Sequence, residues 1–150
     1  MYRHLPGRND EHTFGLQVIA DHEDGVSGFC DRLLIGATTL TAESIVSRAK
    51  AATGDSLVIA AHVDRESFSL VGQLGFIPPS LALDAVEIAG DRAGIESRCP
   101  DCSRFPVVTG SDAHHPADIG KRFTWFTVEN GSIPELKKAL TCRDNRKAEC

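Results

Sequence analysis

The chain has 150 residues, 41% of them hydrophobic and 25% charged, with a formal net charge of −5: the size of one ordinary domain with enough apolar material for a core. That acidic balance argues against nucleic acid as a partner, because binding along a phosphate backbone needs clustered Lys and Arg. No apolar run approaches a membrane span and the N-terminus has no signal-peptide core, so a cytoplasmic protein that does not enter a membrane is expected.

In chain order, the first thirty residues are polar and rich in His, Asp and Glu and read as irregular structure with one short helix, within an irregular N-terminal segment at 1–40. From Thr41 the signals sharpen. Thr41 can cap a helix, Glu43 sits in its first turn, Ile45, Val46, Ala49 and Ala52 form one apolar face, and Gly54 ends it. "SLVIAAHV" (56–63) follows as a continuous apolar strand of the kind buried on both faces in a parallel sheet. Ser67 caps a short helix with Leu70, Val71 and Leu74 inward, closed by Gly75, Pro78 and Pro79.

"LDAVEIA" (83–89) is the next strand, residues 105–109 another, and "RFTWFTV" (122–128) a further one. The last helix opens with a capping box from Ser132 to Glu135 and carries Ile133, Leu136 and Leu140. Residues 41–141 thus predict an α/β domain with a largely parallel sheet or part of a barrel, followed by a charged tail at 142–150. The five cysteines, Cys30, Cys99, Cys102, Cys142 and Cys150, lack the dense spacing of a disulfide framework, so reduced thiols are expected. "CPDC" (99–102) has the spacing of half a zinc knuckle or a redox pair. No second knuckle follows, and it reads as a loop with two thiols.

Chemistry concentrates at two strand ends. In "VVTGSDAHHPADIG" (107–120), Asp112 and His114 lie two residues apart just after an apolar run, where an extended chain points both to one side. His62 ends the 56–63 strand. C-terminal ends of parallel strands converge on active sites, so one carboxylate and two imidazoles can meet on a divalent ion, with zinc, manganese and iron all compatible. Arg65 can reach a phosphate or form a surface salt bridge. Glu87 reads as a buried, hydrogen-bonded carboxylate, His22 and His115 as surface residues, and Trp125 with Phe123 or Phe126 as core. Lys137 and Lys138 suit a helix C-terminal half without any ligand.

"GSDAHHPADIG" resembles the C-terminal "SDAH…DIG" signature of the polymerase and histidinol phosphatase (PHP) superfamily. "IAAHVDRESFSLVGQLGFIP", "DRLLIGATTLTAESIV" and "LDAVEIA" are similar to its phosphoesterase-like members in the right order, so the resemblance spans about residues 15–140. It implies an irregular (β/α)7 barrel holding metal ions at its C-terminal mouth and hydrolysing phosphate esters, with His62, Asp112 and His114 as metal ligands and a phosphorylated small molecule as substrate. The family's opening "HxH" strand, its "DH" motif and its glutamate have no counterpart here. The chain therefore reads as the C-terminal part of a PHP protein: a metal-dependent phosphoesterase, or a non-catalytic fragment or assembly subunit holding at most one metal, or a PHP-type nuclease. A homo-oligomer or a partner chain would complete the barrel.

Overall fold

Three short apolar strands paired in parallel organise the larger part of the chain. The computed structural model describes residues 2–52, 55–93 and 95–150, in two compact units, Met1–Ser44 and Ile45–Cys150.

In Ile45–Cys150, β3 (Ile59–Ala60), β4 (Ala85–Ile88) and β5 (Val107–Thr109) form a sheet in that order, with Ile59 beside Ala85 and Val86 beside Val107. Side chains alternate along a strand, so the sheet has two apolar faces. Val86 and Ile88 turn to one, where they pack with Val63, Ile77, Ile95, Cys99 and Cys102. Ala85 and Val108 turn to the other, with Leu140 buried against them and Leu57, Phe126 and Ala148 at the margin. Burial on both sides is what a parallel sheet requires. The first face is covered from α3 (Leu70–Leu74), through Leu70 and Val71, and from α4 (Ile95–Arg98). The second is covered from α5 (Ile133–Leu140) and from an antiparallel pair, β6 (Trp125–Thr127) with β7 (Lys147–Glu149).

The architecture is mixed α/β with small sheets, and the described residues close no barrel. The strands are shorter than the apolar runs that carry them: the 56–63 run contributes two residues to β3, because the chain turns at Ala61. Residues 142–150, expected as a charged tail, make a turn and then β7. Buried Glu135 explains it. Its carboxylate accepts from Arg146 Nε at 2.6 Å, Lys138 Nζ at 2.8 Å and Glu129 N at 3.0 Å, which ties the tail to α5.

That same network replaces the expected capping box. Ser132 makes no side-chain cap, and its own N–H bonds Asn130 Oδ1 at 3.1 Å. Likewise Ser69, not Ser67, caps α3, accepting from Gly72 N at 2.8 Å. Thr41 does cap α2 (Ala42–Ala52), accepting from Ser44 N at 3.2 Å. Of its expected apolar face only Val46 is buried, and Gly54 lies outside the described residues.

Cys99 and Cys102 are joined by a disulfide rather than reduced. Cys99 follows α4 and Cys102 lies within the 3₁₀ segment Pro100–Arg104, and both are buried in the first apolar cluster.

In Met1–Ser44, α1 (Glu11–Phe14) begins at Asp10, which accepts from His12 N at 3.1 Å. An antiparallel hairpin, β1 (Val18–Ala20) with β2 (Val26–Phe29), follows where irregular chain was expected. Its turn is built by Asp21, whose Oδ1 accepts from Glu23 N and Gly25 N, both at 2.9 Å. No helix among the described residues is long and apolar enough to cross a membrane.

Candidate functional site

The C-terminal tips of β3, β4 and β5 lie side by side, and the residues that leave them are wired together. After β3, Asp64 sends its carboxylate across to the next tip, accepting from Ala89 N at 2.7 Å and Gly90 N at 2.8 Å. Burial pushes its pKa up, but those two amides and Arg98 outweigh burial and hold the carboxyl below its ordinary value. At Gly90 a Cβ would stand 2.8 Å from Asp64 Oδ2 and 3.2 Å from Arg98 Nη2, and at Gly110, after β5, 2.6 Å from Glu87 Oε1, so a larger residue at either would displace those side-chain ends.

Glu87 is half-buried and its Oε2 accepts from His62 N at 3.4 Å, so it is a hydrogen-bonded carboxylate at the tip of β4. His62 and Asp112 both occupy the left-handed backbone region, with φ of 30° and 46°. L-residues pay about 1–3 kcal/mol for such conformations, which collect at functional sites.

Of the three expected ligands, His62 has its Nδ1 buried without a hydrogen-bond partner. Asp112 Oδ2 lies 2.6 Å from Arg65 Nη2, an ion pair outside hydrogen-bond geometry. His114 is 73% exposed, and its Nδ1 lies 2.7 Å from the Asp112 carbonyl oxygen and 4.0 Å from Asp112 Oδ1. Sequence spacing put Asp112 and His114 on one side, and the two side chains do lie close, but through a left-handed turn at Asp112 rather than the extended chain that spacing assumes.

These three are not assembled as a metal set in this arrangement. One offers a free donor, one carboxylate faces a guanidinium, and no group of three or more His, Cys, Asp or Glu side chains among the described residues is placed to hold an ion.

Arginine is what the tips do gather, and composition gave no hint of it. Arg65 and Arg98 line one cavity of about 310 Å³ with Val63, Asp64, Glu66, Val71 and Gly72. Arg98 Nη2 donates to Asp91 O at 3.0 Å and lies 3.8 Å from Asp64 Oδ2. Arg122 donates to Ala89 O and, at 2.7 Å, to Gly90 O. The segment bearing Arg122 is held to the tip of β5 by Ser111 Oγ, which donates to Arg122 O at 2.9 Å, and by Thr124 Oγ1, which accepts from Thr109 N at 2.8 Å.

Two aromatic expectations are corrected here. Phe123 and Trp125 are exposed, 52% and 68%, and touch edge to face at 5.1 Å. Only Phe126 turns to the core, because β6 has one solvent face. His22 and His115 are exposed as expected.

The fold has known counterparts. Residues 101–147 match the family model described as PHP-associated. Endonuclease Q in complex with a 27-mer duplex substrate carrying an abasic lesion at the active site is similar to this chain with a TM-score of 0.57 and 24% identity, over 75% of this chain and 29% of that one. The lesion-specific endonuclease PfuEndoQ from Pyrococcus furiosus is similar with a TM-score of 0.56 and 25% identity, over 74% and 29%. The chain thus spans about 29% of the length of these structures. Comparison with curated proteins gives no match.

The expectation against nucleic acid as a partner is overturned by the first of these structures, a complex with a 27-mer duplex substrate. Net charge describes the whole surface, whereas phosphate contact depends on where a few cations are held. Residues 101–147 thus carry a PHP-associated segment, and about three quarters of the chain shares its fold with endonuclease Q.

Proposed function

We propose that this chain is the C-terminal part of a PHP-type nuclease whose strand tips face a phosphodiester of nucleic acid, with Arg65 contacting the phosphate. The carrying observation is the gathering of Arg65, Arg98 and Arg122 at the tips of all three parallel strands in a chain of net charge −5. Each guanidinium has five N–H donors in a planar fork. Each uses only some of them on carbonyl and carboxylate partners, which leaves donors for phosphoryl oxygens. The likeness to endonuclease Q supports the nuclease over a phosphatase for small molecules. The wider class, hydrolysis of phosphate esters on a partial (β/α)7 barrel formed by residues 41–141, belongs to the same proposal.

Binding of a duplex containing an abasic site, measured against salt concentration, tests it. Each phosphate contact contributes about 0.9 to the slope of log affinity against log salt, so Arg65→Ala is expected to weaken binding and flatten the slope by about 1. Equal affinity and slope in both proteins, or no binding at low salt, removes the proposal. Zinc titration tests the ligand roles of His62, Asp112 and His114. Arg65→Ala frees the Asp112 carboxylate and is expected to raise zinc affinity, and His62→Ala to lower it. Manganese and iron titrations follow the same logic, and unchanged affinities would discard the assignment.

A further inference from the structure

We propose a second anion site, for a phosphate group, in the cavity of about 220 Å³ lined by Asp84, Lys137, Lys138, Leu140, Thr141 and Arg143. The chain has 16 Lys and Arg. Among the described residues, Lys137 and Arg143 are the ones whose side chains have no hydrogen-bond or ion-pair partner, and both line this cavity. In an acidic protein, where every other described cation is engaged, two unengaged ones in one concavity mark a place for a ligand of opposite charge.

The groups that would repel an anion there are already occupied. The Asp84 carboxylate accepts from Lys50 Nζ at 2.8 and 2.9 Å and from Val58 N at 2.8 Å. Asp144 lies 3.4 Å from Lys138 Nζ. The last carbonyls of α5 carry the negative end of its dipole, but Lys137 O and Lys138 O accept from Thr141 Oγ1 at 2.9 and 3.3 Å. What remains uncompensated is the charge of Lys137 and Arg143.

The backbone of Arg143 is also held in place before any ligand arrives. Its N–H donates to Lys138 O at 2.9 Å, its carbonyl accepts from Arg146 N at 2.8 Å, and Arg146 is anchored on buried Glu135. With the backbone fixed, only the side chain is left to order on binding.

Asp84 precedes β4 and Ala89 follows it, about 16 Å apart at roughly 3.3 Å per residue. This site is therefore separate from the strand tips and does not depend on the function proposed for them. Its ligand chemistry is a phosphate oxyanion, supplied either by a nucleic-acid backbone or as a free ion.

Amide resonances of Thr141 and Arg143, followed while the whole chain is titrated with inorganic phosphate and separately with a DNA duplex, decide the matter. Saturable shifts are expected with at least one probe, and at least a tenfold loss of affinity in the double variant Lys137→Gln, Arg143→Gln. Neither side chain has an internal partner, so that variant breaks no bond of the fold, and the charge-preserving Lys137→Arg, Arg143→Lys pair should bind as wild type does. Shifts with the duplex support a backbone phosphate, and shifts with phosphate alone support a free ion. Arg65→Ala should leave these shifts intact, so failure at the strand tips is distinguishable from failure here. Unmoved Thr141 and Arg143 resonances with both probes, or equal binding by the glutamine pair, would overturn the proposal.

Discussion

The two units of this chain are held by different means. Ile45–Cys150 buries apolar side chains on both faces of its parallel sheet. In Met1–Ser44, Leu5 is the sole buried hydrophobic side chain among the described residues, while Val18, Ile19, Val26 and Phe29 of the hairpin are exposed. What closes that hairpin region is polar. Gln17 Nε2 donates to Cys30 O at 2.9 Å and to Arg32 O at 2.5 Å, and Gln17 Oε1 accepts from Leu34 N at 3.0 Å. A hairpin satisfies its backbone from neighbours in sequence. Parallel strands are joined by long crossovers, so ordering them must be offset by burial.

The largest expected effect therefore lies in the sheet. Ile88→Ala removes a side chain that is 2% exposed and should destabilise Ile45–Cys150 by about 2–5 kcal/mol in chemical denaturation. Next comes Gln17→Ala, which leaves two carbonyls and an amide without their partner. We expect a local loss of about 1–3 kcal/mol, read as faster hydrogen exchange at Leu34 with the β4 amides unchanged. Equal protection in both proteins would show that the N-terminal unit does not depend on this glutamine.

A smaller, pH-dependent effect belongs to Glu135. Hydrogen bonds from Arg146, then Lys138, then Glu129 N pull its carboxyl from the ordinary 4.5 down to about 2. A folded pKa below the unfolded one stabilises above the unfolded value and loses that contribution as pH falls through the folded one. The stability gap between wild type and Glu135→Gln should be full above about pH 4.5 and shrink toward pH 2. A gap constant across that window would deny the charge its role. Smallest of all, Ile19→Ala in the exposed hairpin should change stability by no more than about 0.5 kcal/mol. A loss comparable to that of Ile88→Ala would erase the contrast between the units.

Sequence by itself determined the α/β character, the positions of β4 and β5, the Thr41 cap and the PHP-like character of residues 101–147, because period, caps and motif are local properties of a chain. Tertiary structure alone decided the rest. A buried carboxylate at Glu135 recruited the tail into a strand, a left-handed turn at Asp112 sent His114 outward, and packing drew Cys99 and Cys102 together. It also placed Arg65, Arg98 and Arg122 at three adjacent strand tips, and Lys137 beside Arg143. Charge is countable from composition, but the field a ligand meets depends on which charges are already paired, and pairing is settled only when distant segments meet.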